Sequence, residues 1–107
     1  MDGRFFRLVV ALTAAVICVT SMAAANEVKI GVVYDYTGPF AAGGSIAEAA
    51  GTKIAIDLMN ERGGVEGYKI VPIYVDAQSK VDVAITEATR LLDQERVNLV
   101  MGFFSSA

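Results

Sequence analysis

The hydrophobic pattern of this chain alternates between two rhythms. Residues 28–35 (Val28-Lys29-Ile30-Gly31-Val32-Val33-Tyr34-Asp35) form a short apolar run rich in β-branched side chains. That pattern predicts a strand covered on both faces. Residues 36–44 hold three glycines and a proline, which predicts a loop. From Ser45 the rhythm becomes helical. Ala47, Ala50, Gly51, Ile54 and Leu58 recur at helical spacing, while Lys53, Asp57, Glu61 and Arg62 are polar. Ser45 and Glu48 have the spacing of a capping box, and Gly63-Gly64 supplies a left-handed helix end.

The strand rhythm returns at residues 68–76, where Pro72 argues for a sheet edge or a bulge. A second helix is predicted over 81–96, with Val81, Ala84, Ile85, Ala88, Leu91 and Leu92 as its buried stripe. A third strand follows at 97–102, and residues 103–107 begin the loop after it. The order β-α-β-α-β with short connections predicts an α/β fold: an open parallel sheet with right-handed crossovers and spatial order 2-1-3. The sequence stops in a loop where a following helix would cover the sheet, which reads as the start of a longer protein.

The first 25 residues have a different character. Arg4 and Arg7 precede an apolar run over 8–19 that is too short to span a bilayer, and Ala23-Ala24-Ala25 supplies a small-residue cleavage pattern. Residues 1–25 therefore read as a secretory signal peptide and 26–107 as the folded part, with no stable membrane span. Cys18 is the one cysteine of the chain. It follows Ile17 inside the apolar run, which does not fit a lipid-anchor site. Cleavage after Ala25 would leave no thiol for a disulfide.

Composition narrows the chemistry. Histidine is absent, and the net charge of −3 is interspersed, with no basic footprint for nucleic acid. No G-x-G-x-x-G, G-x-x-x-x-G-K-[ST] or G-x-S-x-G occurs, so no nucleotide-cofactor motif or nucleophile elbow is present. These absences favour binding over catalysis, with no cofactor and no metal. In the predicted topology the loops at 35–44, 76–80 and 102–107 share the carboxyl edge of the sheet, where open α/β sheets take ligands. Gly38, Gly43 and Gly44 allow close backbone approach there. The amides beginning at Ser45 suit an anion, and Ser105 and Ser106 add hydroxyls. Plainer uses are also open: Gly38-Pro39 as a turn, Phe40 as a core cover, Ser105 and Ser106 as caps, Asp76 as a solvated strand end and Asp35 as a tie within the first loop.

The segments KIGVVYDYTGPFAAGGS, GTKIAIDLMNERGGVEGYKI, YVDAQS and VNLVMGFFSSA, in that order, resemble periplasmic substrate-binding proteins of the leucine/isoleucine/valine-binding type. The resemblance implies part of the first lobe of a two-lobed clamshell. It further implies an extracytoplasmic solute-binding component of an ABC importer for branched-chain amino acids or related small carboxylates. Its partners would be ABC permease subunits and its location periplasmic. By the same resemblance, Ser105, Ser106 and Ala107 stand where the ligand carboxylate is held, and Phe40, Ala41 and Gly43 where the wall beside the ligand side chain stands. Some members carry a bulky aromatic at the position of Gly43, and its absence here leaves more space. Gln78 and Ser105 occupy places that a disulfide joins in some members. A sensory ligand-binding module of a receptor shares this fold and is the alternative.

Overall fold

The computed structural model describes residues 26–105. The leader expected at 1–25 lies outside the described residues, as do Ser106 and Ala107. The elements are β1 (Glu27–Tyr34), α1 (Ile46–Glu61), β2 (Lys69–Asp76), α2 (Val81–Asp93) and β3 (Leu99–Gly102). The strands form one parallel sheet in the order β2-β1-β3, as the crossover argument predicts. Glu27 opposes Lys69 and Tyr34 opposes Asp76 on one side of β1; Ile30 opposes Leu99 and Val33 opposes Gly102 on the other. Pro72 falls on β2, at the edge, where a missing N–H costs least. Asn60 of α1 serves that same strand, donating to the Ile70 carbonyl and accepting from the Ile70 amide, both at 2.8 Å.

Alternation along β1 divides the core between two faces. Val32 and Tyr34 pack with Ala49, Ile56 and Ile70 beneath α1. Val33 packs with Val75, Ala77, Leu91 and Val97 beneath α2. Gly31 lies against α2: a Cβ there would sit 2.8 Å from Leu91 Cδ1, so the missing side chain lets Leu91 seat fully buried on the central strand.

Both helices depart from the sequence reading, for different reasons. In α1 the sheet-facing line is Ala49, Thr52, Ile56 and Asn60, not the expected apolar set. Ala47, Ala50, Gly51, Ile54 and Leu58 are all exposed. The polar members of the inner line are satisfied in place, since Thr52 Oγ1 lies 2.9 Å from the Tyr34 hydroxyl and Asn60 bonds β2. In α2, Leu91 is fully buried and Ala84 and Ala88 are half-buried, as the stripe predicted. Val81, Ile85 and Leu92 of the same stripe are exposed instead, because no further element lies over that side among the described residues. α2 also ends at Asp93, three residues before the predicted limit of 96.

Candidate functional site

Helical winding begins at Pro39, ahead of the predicted start. Proline suits a first helical position, because its fixed φ is already helical and its missing N–H is not needed there. A single π-type turn, Ala41–Ser45, joins this opening to α1, with Gly44 at φ 141° and ψ −20° breaking the helical run. Such turns recur at functional sites. The capping box is therefore not formed. Ser45 has helical dihedrals and makes no cap bond; its Oγ, fully buried, accepts the Asp35 amide at 2.7 Å. The anion cradle expected at Ser45 is corrected with it, because the Ile46 amide is already bonded to the Ala41 carbonyl.

Two carboxylates lock the neighbouring loops. Asp35, 5% exposed, accepts the Ser79 amide at 2.7 Å, so the end of β1 is tied to the loop after β2. Asp76 gathers four donors: the amides of Tyr36, Thr37 and Gln78 on Oδ1, and the Thr37 hydroxyl on Oδ2 at 2.7 Å. Burial pushes the Asp76 carboxyl up, but these hydrogen bonds together outweigh it and hold the group below its ordinary value. Ser79 completes the tie, accepting the Phe40 amide at 3.0 Å and donating to the Thr37 carbonyl at 3.1 Å. The plainer reading of Asp35, as a loop tie, describes what it does here, whereas Asp76, expected as a solvated strand end, is a second tie.

The loop after β3 closes the third side. Gly102 has φ 113°, and a Cβ on it would run into the Val33 carbonyl. This conformation, which glycine adopts without strain, turns the chain so that the Phe103 amide reaches Val33 O at 2.8 Å and Phe104 swings across the edge. The Phe104 ring packs against the Phe40 ring with centroids 6.3 Å apart and planes tilted by 52°, within the range favoured by aromatic pairs. It also lies over Gly43 and Gly44: a Cβ at Gly43 would be 3.8 Å from Phe104 Cε1, and one at Gly44 would be 2.9 Å from Cε2. Beside this edge lies a cavity of about 380 Å³, lined by Asp35, Ser79, Phe40, Phe104 and Ser105 and by the Val81, Ile85 and Leu92 side of α2.

Of the residues expected at the site, Phe40 and Ser105 meet at this cavity. Gly43 lies next to it, under Phe104, and Ala41 points inward, 9% exposed. Ser106 and Ala107 lie outside the described residues. Phe104 and Ser79 were not foreseen. An aromatic two residues beyond a strand-ending glycine was the available signal for Phe104, whereas nothing local marks Ser79.

Three parallel strands whose carboxyl-end loops are tied or packed into one rim form the edge at which open α/β sheets take ligands. The chain belongs to the periplasmic binding protein family, which matches residues 27–107. It is 38% identical over 97 residues to Leu/Ile/Val-binding protein homolog 7 of Brucella suis, covering 91% of this chain and 24% of the relative. It is 32% identical over 108 residues to an amino acid binding protein of Pseudomonas aeruginosa, covering all of this chain and 29% of that one. Among solved structures it is similar to the branched-chain amino acid transporter substrate binding protein LivJ of Streptococcus pneumoniae in complex with isoleucine. That match has a TM-score of 0.70 and 32% identity over 73% of this chain and 22% of LivJ. A putative branched-chain amino acid ABC transporter protein of Silicibacter pomeroyi matches with a TM-score of 0.63 and 36% identity, covering 70% of this chain and 19% of that one. The chain thus spans about a quarter of the length of these relatives.

Proposed function

We propose that this chain supplies one wall of the ligand site in an extracytoplasmic solute-binding protein that delivers a branched-chain amino acid or related small carboxylate to an ABC permease. The observation that carries this reading is the shared rim: the loops after β1 and β2 are hydrogen-bonded together, and the loop after β3 packs on them through the Phe40–Phe104 ring pair. In this reading Ser105, Ser106 and Ala107 take the ligand carboxylate through hydroxyl and backbone donors. Phe40 and Gly43 stand beside its side chain. The Phe104 ring narrows the space that glycine at position 43 leaves, which supports an aliphatic side chain there. A second lobe then closes over the ligand by hinge motion, and the closed form docks on the permease. Residues 1–25 act as the leader that takes the chain out of the cytoplasm.

Titration calorimetry on a chain of the relatives' full length, with isoleucine, leucine, valine and benzoate, tests this. Heat is expected with the aliphatic amino acids, and Phe104→Ala should weaken them at least tenfold, about 1.4 kcal/mol. Absence of heat with every carboxylate would overturn it.

A further inference from the structure

β2 is an outer strand of the described sheet, and its sequence is a hazard in that place. Residues 70–75, Ile70-Val71-Pro72-Ile73-Tyr74-Val75, are β-branched or aromatic at every position but Pro72. An edge of that character offers its unpaired N–H and C=O groups as a template for another strand. The hydrogen bonds show which groups are offered. The Lys69 amide donates to the Asn26 carbonyl and the Ala77 amide to the Tyr34 carbonyl, both toward β1. The Ile70 amide and carbonyl are instead bonded to the Asn60 side chain. Peptide groups alternate in direction along a strand. Ile70, Pro72 and Tyr74 therefore face away from β1.

We infer that Asn60 and Pro72 together close the β2 edge against the addition of another strand, a second copy of β2 above all. From the last turn of α1, the Asn60 carboxamide meets both groups of Ile70 at 2.8 Å, as a neighbouring strand would. Two residues on, Pro72 has no N–H to offer, and its ring stands where that donor would point. A joining strand then finds both groups free only at Tyr74, and one residue does not make a ladder. Separately, Asn60 pins α1 to the sheet and Pro72 is merely tolerated at an edge. Their shared phase joins them. Shifted by one position, Pro72 would face β1 and leave a ladder bond unmade, while Asn60 would meet groups already paired. The inference stands on the sheet edge alone and holds whatever the solute.

Fibril growth of the full chain, followed by thioflavin T fluorescence under reducing conditions, tests it. The parent for this test carries Ile85→Lys and Leu92→Lys, which remove the exposed apolar side of α2 as a rival route to association. Asn60→Ala frees both groups of Ile70 and is expected to speed growth about tenfold, the rate equivalent of one or two backbone hydrogen bonds gained by the joining strand. Pro72→Val should do the same, and the two together should exceed either. Pro72→Val adds an outward N–H and leaves the bonds to β1 in place, so its melting temperature should match the parent's; its faster growth then owes nothing to lost stability. Ile56→Val loosens the same helix from the sheet without touching the edge, and should grow at the parent's rate. Amide exchange gives a second reading: the Ile70 amide should be protected in the parent and exposed in the Asn60→Ala chain. Three results would each overturn the proposal. They are Asn60→Ala and Pro72→Val chains that grow no faster than the parent, an Ile56→Val chain that grows as fast as the Asn60→Ala chain, or an Ile70 amide that exchanges freely in the parent.

Discussion

Asp76 shows how one side chain organises a rim through the amides around it. Its two oxygens receive the Tyr36, Thr37 and Gln78 amides and the Thr37 hydroxyl. With its folded-state carboxyl held low, the stabilisation is present above the unfolded value of about 3.9 and is lost as pH falls through the lower folded one. Asp76→Asn leaves a single acceptor oxygen without charge, and should cost about 1–2 kcal/mol at neutral pH. The gap between variant and parent should narrow below about pH 4, read as melting temperature by circular dichroism at a series of pH values; a gap unchanged with pH would contradict the charge argument. This role was not legible beforehand. An aspartate at a strand end reads the same whether it is solvated or bonded to amides 39 and 40 positions away. Phe104 was hidden for a related reason, because its placement depends on the backbone turn at Gly102 against a carbonyl of another strand.

At the level of elements, strand order and helix number were readable because they follow from run length, connection length and crossover handedness. Faces were readable only where the helix is amphipathic. In α2 the periodicity pointed correctly to Leu91, which reaches the sheet over Gly31. Leu91→Ala should destabilise by about 3 kcal/mol, whereas Gly31→Val should also destabilise by driving a side chain into Leu91. Combining the two should cost less than their sum, since each removes the other's clash or void; strict additivity in thermal melts would show that the contact is not direct. In α1 the apolar pattern pointed outward, because its inner line uses Thr52 and Asn60 as hydrogen-bonding partners of β1 and β2. Hydropathy cannot distinguish a polar residue that faces water from one that completes a strand. The early helical winding from Pro39 was masked similarly, since a glycine pair inside a π-type turn has the composition of a loop.

For the whole molecule, the two sheet faces are unequally covered. α1 lies mainly against β2, while α2 lies against all three strands yet leaves Val81, Ile85 and Leu92 exposed along the cavity that also meets Phe103 and Phe104. A right-handed crossover leaving β3 away from β1 would lay its helix over this same face. With the groove open, the chain is expected to bind the apolar dye ANS, and Ile85→Lys with Leu92→Lys should remove most of that fluorescence. Dye binding unchanged by those substitutions would place the accessible apolar surface elsewhere. The sheet order has one more consequence, for the interval between synthesis and folding. The central strand is made first, and its neighbours begin only at Lys69 and Leu99. No hairpin can zip up early, so closure is slow. A polypeptide built this way stays open to proteases and chaperones for longer than one whose neighbouring strands close as local hairpins.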